Sequence, residues 1–410
     1  MKRFFAIVLS LLMVMALIAC TATPAEQNNP EQQGQAEPAD KLDIKVGFIC
    51  LHDENSTYDL NFINAAKAAC EKLGITDYVI KTNIPEGQEC YDTAADMAAN
   101  GCSIVFADSF GHEDYMIQAA KEFPNVHFCH STGTKAHTEN LPNYHNAFAA
   151  IYEGRYLAGV AAGMKLNEMI AAGKFTAEEA KIGYIGAFTY AEVVSGYTSF
   201  FLGARSVCPS ATMEVTFTGS WYDETAEKEG AVKLISDGCK LISQHADSMG
   251  APSACESAGV PNVSYNGSTI KVGANTYIIS SRIDWEPYYE FCIKAVMNGE
   301  TIPADWTGTI STNSVQLTEL NTAVAAEGTQ AAIDEAKAAL VAGTLHVFDT
   351  ANFTVNGEHL TSYLADVDTD DAFTPDTEVI KDGYFHESEF RSAPYFDIAI
   401  DGITLLNTAF

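Results

Sequence analysis

The chain has 410 residues, with 54 acidic against 23 basic side chains and a formal net charge of −31. That balance argues against a nucleic-acid partner, which needs clustered Lys and Arg, and against docking on anionic lipid headgroups. Hydrophobic content of 47% with a mean hydropathy of −0.01 supports a packed core and excludes a polytopic membrane protein.

The N-terminus opens with Lys2 and Arg3, then runs apolar from Phe4 to Ala19. A basic start, a short apolar stretch and a small residue at its end predict a secretory signal over residues 1–19, too short for a membrane span. Leu17-Ile18-Ala19-Cys20 resembles the lipobox of bacterial lipoproteins. That resemblance implies lipidation of Cys20 and a protein tethered to the cell membrane, facing outside the cytoplasm. Residues 20–42 are mostly Ala, Pro, Gln, Glu, Asn and Gly, a composition that cannot offset its ordering entropy and predicts a disordered leash.

From Ile44 short β-rich runs alternate with amphipathic stretches. Strands are predicted at 44–51, 78–83, 104–107 and 126–129, with helices at 60–73, 90–100 and 115–123 between them. A second series begins with a helix at 153–165. Strands at 181–185, 213–218, 240–243 and 262–265 alternate with helices at 193–205, 225–236 and 252–258. Two such series predict an α/β fold of two doubly wound lobes with parallel sheets. Residues 350–410 form a C-terminal extension with strand-like runs such as 398–406 and no assigned place.

Ligands of open parallel sheets bind beyond the carboxyl ends of the strands. The loops there supply the candidate ligand-binding residues Asp53, Asn55, Ser56, Tyr58, Asp108, Ser109, Phe110, Phe188, Trp221, His245, Asp247 and Asn266. Aromatic rings with amides, hydroxyls and carboxylates, and no Lys or Arg, suit a flat, uncharged, hydroxylated ligand rather than a phosphate. No P-loop, dinucleotide fingerprint or Gly-x-Ser-x-Gly elbow occurs, and no cofactor, metal or catalytic residue is expected. The acidic run Asp366–Asp371 lacks the glycine and glutamate positions of a calcium loop and reads as a solvated turn. Besides Cys20 there are nine cysteines, without metal spacing; several adjoin apolar runs, where Cys acts as a small hydrophobe.

Glu153-Gly154-Arg155-Tyr156-Leu157-Ala158-Gly159, Ile182-Gly183-Tyr184-Ile185-Gly186, Ser220-Trp221-Tyr222-Asp223, Gln244-His245-Ala246-Asp247-Ser248 and Asp284-Trp285-Glu286-Pro287-Tyr288-Tyr289 carry a further resemblance. Together they resemble the basic membrane lipoprotein family, the nucleoside-binding proteins of ATP-binding-cassette importers, of purine nucleoside receptor type. The resemblance implies a type I periplasmic-binding-protein fold whose lobes are joined by a three-strand hinge, with 43–143 plus 284–305 in the first lobe and 144–283 plus 306–349 in the second. It adds Asp284 and Trp285 as ligand-binding candidates, although Asp284 also suits a purely structural place in the hinge. Arg155 reads as a structural ion-pair partner. Tyr58 and Trp221 are the expected base-stacking rings. The departures are Ser268, where many relatives have Asp, and Ile283, near where many purine receptors carry Lys. The expected function is capture of a nucleoside, of purine type, for delivery to an ATP-binding-cassette permease. The alternatives are a surface nucleoside-processing enzyme or a receptor serving a signalling partner.

Overall fold

A computed structural model describes residues 44–367, 372 and 374–410. The signal segment, Cys20, the leash and most of the 366–371 acidic run lie outside the described residues. None of the described helices is long and apolar enough to cross a membrane.

The chain opens with strand β1 (Lys45–Ile49), helix α1 (Thr57–Leu73), β2 (Tyr78–Lys81), α2 (Gln88–Ala99), β3 (Cys102–Ala107), α3 (Glu113–Glu122), β4 (His127–Ser131), a short α4 (Ala136–Glu139) and β5 (Tyr144–Ala149). Local chemistry sets the boundaries of α1. The Ser56 hydroxyl accepts from the Asp59 amide at its start, and Gly74, at φ 72°, closes it in the left-handed region. Its buried face carries Phe62, Ala65, Ala66 and Ala69.

The second run comprises α5 (Ile151–Ala171), β6 (Lys181–Gly186), α6 (Ala191–Val207), β7 (Thr212–Phe217), α7 (Glu224–Ser236), β8 (Leu241–Gln244), α8 (Gly250–Ala258), β9 (Asn262–Tyr265) and β10 (Tyr277–Ile283). Helices α5 and α6 cross at glycine contacts. A Cβ on Gly159 would lie 2.0 Å from the Phe200 carbonyl, and one on Gly203 would lie 2.0 Å from that of Tyr156. Only hydrogen at both positions permits this approach.

The chain then returns through α9 (Glu286–Asn298) and β11 (Asp305–Gly308) before β12 (Val315–Leu317) and α10 (Thr329–Val341). The first sheet has the order β11-β5-β4-β3-β1-β2, all parallel. The second runs β12-β10-β9-β8-β6-β7 and ends on a strand from the extension, Ile403–Leu405, parallel to β7; within it only β12 runs antiparallel. Two doubly wound lobes result, crossed by the chain three times.

The second crossing follows Ile283 as expected, whereas the first and third differ in position from the expected ones. Tyr144–Ala149 is a first-sheet strand, paired with β4 and β11, so the first crossing follows Ala149 instead of preceding Tyr144. Likewise Trp306 pairs with Ala147, so the third crossing follows Gly308. The extension packs on the second lobe: Tyr395, Phe396, Ile398 and Ile400 are buried in the core shared with α5 and α6.

Candidate functional site

The carboxyl ends of the two sheets face each other across a cleft, and their loops close on one another. The Thr57 amide and hydroxyl donate to the Asp247 main-chain carbonyl, and the Asn61 side-chain amide donates to the Asn266 carbonyl at 2.9 Å. Phe110 of the first lobe lies 5.0 Å from Tyr190 of the second, and His52 lies 5.6 Å from Tyr222.

Between them is a narrow pocket whose empty space, open solvent included, is about 380 Å³. Tyr58, Ser109, Phe110, Trp221, His245, Asp247 and Asn266 line it, as do Leu51, His52, Asp59, Thr132, Glu192 and Tyr265. Three rings are fixed by neighbours. Tyr58 donates its hydroxyl to the Asp108 carbonyl at 2.7 Å and rests on Phe62 at 4.8 Å. Trp221 is braced edge-on by Phe188 at 5.0 Å, and Phe188 stacks on Tyr190. Tyr265 lies under the Arg155 guanidinium, 4.2 Å from ring to carbon, and its hydroxyl has no hydrogen-bond partner among the described residues.

The polar lining is acidic. Asp59 accepts from the His52 amide at 2.7 Å and from the Ser56 hydroxyl at 2.6 Å. Burial would raise its carboxyl, but these bonds and the His52 ring outweigh burial and hold it below the ordinary aspartate value. Asp247 accepts from the Asn266 side chain at 3.0 Å, yet burial and then the nearby Asp59 push its carboxyl well up. Burial lowers His245, against the pull of Glu192 at 3.4 Å. Among the described residues no Lys or Arg lines the cavity, so a phosphate or carboxylate would meet carboxylates without a permanent positive charge beside it.

The remaining candidates lie elsewhere. Asp53 and Asn55 form an outer turn, with the Asn55 amide and side chain both donating to the Asp53 carboxylate. Ser56 is the cap of α1, and Phe188 stands behind Trp221 instead of facing the cavity. Asp108 sits beneath the lining, accepting from the Leu51 amide at 3.1 Å. Asp284 is a hinge residue: it accepts from the Glu286 amide at 3.1 Å and from Gln316 at 2.9 Å. Trp285 is core, stacked on Phe62 at 4.4 Å and 1% exposed. At the head of α9 its ring folds back into the first lobe, away from the cleft. Arg155 is fully buried without a carboxylate partner within ion-pair distance among the described residues; it donates to the Gln244 carbonyl and stacks on Tyr265. This replaces the expected ion pair.

All nine described cysteines are free and buried. Cys50, Asp59 and Asp108 offer ligand atoms within 4.8 Å of one another. Both Asp59 oxygens are already engaged by His52 and Ser56, which leaves that trio poorly suited to a cation.

A family model described as "ABC transporter substrate-binding protein PnrA-like" matches residues 51–344. A purine-binding protein of Brucella abortus is 35% identical over 272 residues, 65% of this chain and 72% of that protein. A putative ABC transporter glucose-binding protein of Haloferax volcanii is 36% identical over 202 residues, about half of each chain. Among solved structures, an ABC transporter solute-binding protein of Aeropyrum pernix superposes with a TM-score of 0.63 at 15% identity, over 77% of this chain and 94% of that one. Its likeness supports the periplasmic-binding-protein fold.

Proposed function

The chain belongs to the family of PnrA-like ABC transporter substrate-binding proteins, and from that premise we propose that it captures a purine nucleoside or base and delivers it to an ABC permease. One observation carries the ligand class. A cavity between the lobes presents the rings of Phe110, Trp221 and Tyr58 beside Asp59, Glu192 and Asp247, without a Lys or Arg among its described lining residues. Aromatic faces stack a planar base, and carboxylates accept from base N–H groups and ribose hydroxyls. The Brucella relative's purine-binding name agrees with this reading. Ligand bridging the lobes would favour the closed form and present the permease with one shape.

The test is calorimetric titration with adenosine, guanosine, inosine, their bases and glucose, since the Haloferax relative is named for glucose. Stoichiometric binding of a purine compound without turnover supports the proposal. Binding of glucose alone, or release of free base from a nucleoside, overturns it.

Lipid anchoring at Cys20 is the second part of the reading, supported by the apolar segment that ends there. Cys20→Ser should move the protein from the detergent phase to the aqueous phase; an unchanged partition would defeat the anchor.

A further inference from the structure

The family match ends at residue 344, yet the chain's last residues return to the cleft. After Ile403–Leu405 extends the second sheet beside β7, Asn407 closes that edge. Its side-chain oxygen accepts from the Phe217 amide at 2.7 Å, and its side-chain nitrogen donates to the Phe217 carbonyl at 2.9 Å. Three residues on, the Phe410 carbonyl accepts from the Thr189 amide at 3.2 Å and also from the Thr189 hydroxyl. The Phe410 ring covers Gly219, where a Cβ would lie 2.6 Å from the ring and where φ is 75°.

These contacts fall beside the ligand wall. Thr189 lies between Phe188 and Tyr190, the two rings that stack behind Trp221, and Gly219 lies two residues before Trp221. Phe410 therefore joins the two loops that hold the aromatic wall, one by hydrogen bonds and the other by its ring. We infer that residues 407–410 of the extension are a brace that positions Trp221, with Asn407 and Phe410 as its positioning residues. Neither residue lines the cavity, so the brace acts through Phe217, held by Asn407 two residues before Gly219, and through Thr189 and Gly219, held by Phe410. A wall held in place before the ligand arrives loses less freedom on binding, which tightens the complex.

The effect on affinity rests on the nucleoside reading, whereas the brace itself does not. Asn407→Ala, Phe410→Ala and a variant lacking residues 408–410 are compared with Leu406→Ala, an exposed neighbour in the same segment. Hydrogen exchange of ligand-free protein is followed at the Thr189 and Gly219 amides, and inosine and guanosine affinities are measured by calorimetry. The brace predicts exchange at Thr189 and Gly219 faster by about tenfold in the first three variants and unchanged in Leu406→Ala. It also predicts affinity weaker by about threefold to tenfold, the scale of one ordinary hydrogen bond. Unchanged exchange overturns the brace, as does faster exchange with unaltered affinity. Should the unsubstituted protein bind no nucleoside, the ligand reading fails, and exchange alone decides for or against the brace. A circular-dichroism melt of each variant confirms that the fold survives.

Discussion

Thr57, at the head of α1 in the first lobe, directs both its amide, at 3.3 Å, and its hydroxyl, at 3.2 Å, to the main-chain carbonyl of Asp247 in the second. With the Asn61–Asn266 bond beside it, this latch joins the two rims of the cleft. Each such bond contributes about 0.5–1.5 kcal/mol. Thr57→Val with Asn61→Ala should therefore shift the population toward open lobes and weaken nucleoside affinity by about 5- to 150-fold. Small-angle scattering should show a larger radius of gyration without ligand. Equal radii and equal affinities would mean that the latch carries no closure energy.

Trp221 presents the largest ring in the cavity and is held edge-on by Phe188. Base–aromatic stacking is worth about 1–3 kcal/mol, so Trp221→Ala should lower purine affinity about 5- to 150-fold, with Trp221→Phe between it and the parent. Calorimetry measures it. Parent-like affinity in Trp221→Ala would remove that ring from the binding surface.

The two lobes were legible because each strand–helix alternation carries its own apolar period. Tyr144–Ala149 does not read as a strand in the sequence because His145 and Asn146 interrupt the apolar pattern. Both are buried, with His145 bonded to the Pro303 carbonyl and Asn146 to Glu113 and Tyr144. Tertiary partners absorb the polarity that the sequence pattern counts against a strand. In the site, Tyr58, Ser109, Phe110, Trp221, His245, Asp247 and Asn266 were readable from loops at strand ends. Asp59, Glu192 and Tyr265 lie just past those loops, in the first turns of helices or at the end of a strand. The Ser56-x-x-Asp59 spacing is close to a capping box and would have placed that carboxyl at the cleft. Trp285 misled because an aromatic at a helix start can face either the cleft or the core, and spacing does not choose between them.

Buried glutamates set the pH dependence. Burial lifts Glu153 and Glu227 to about 7 and Glu387 to about 8, against hydrogen bonds that pull down. Unfolded, each returns to the ordinary value of 4.5. Between 4.5 and about 7 to 8 the folded protein holds more protons than the unfolded chain, so stability falls as pH rises through that window. Buried histidines, His112 and His145 lowered by burial to about 4, pull the other way below the unfolded value of 6.5, so the glutamates are read above it: melting temperature should be higher near pH 6.5 than near pH 8. Glu227→Gln should flatten the slope between those points. A melting temperature that rises from pH 6.5 to 8 would contradict the assignment.

Arg155 is the largest charged side chain in the core. Its guanidinium lies 4.2 Å over Tyr265 and 5.3 Å from Tyr184, and it donates to the Gln244 carbonyl at 3.0 Å. Burial lowers it to about 10, still charged at neutral pH. Truncation removes the packing volume and the cation–π contact together, so Arg155→Ala should cost about 3–5 kcal/mol in a urea titration. Lysine keeps the charge but cannot stack as a plane on two rings, so Arg155→Lys should recover less than half of that loss. Arg155→Met separates the two effects, because it keeps much of the volume without a charge. Replacing a buried charge by a close-packed apolar side chain is often neutral or stabilising, so Arg155→Met should be more stable than Arg155→Lys. Its purine affinity should nonetheless fall, because Tyr265 loses the cation that backs its ring. A lysine variant as stable as the parent would show that charge alone, not the stacked plane, holds Tyr265 in place.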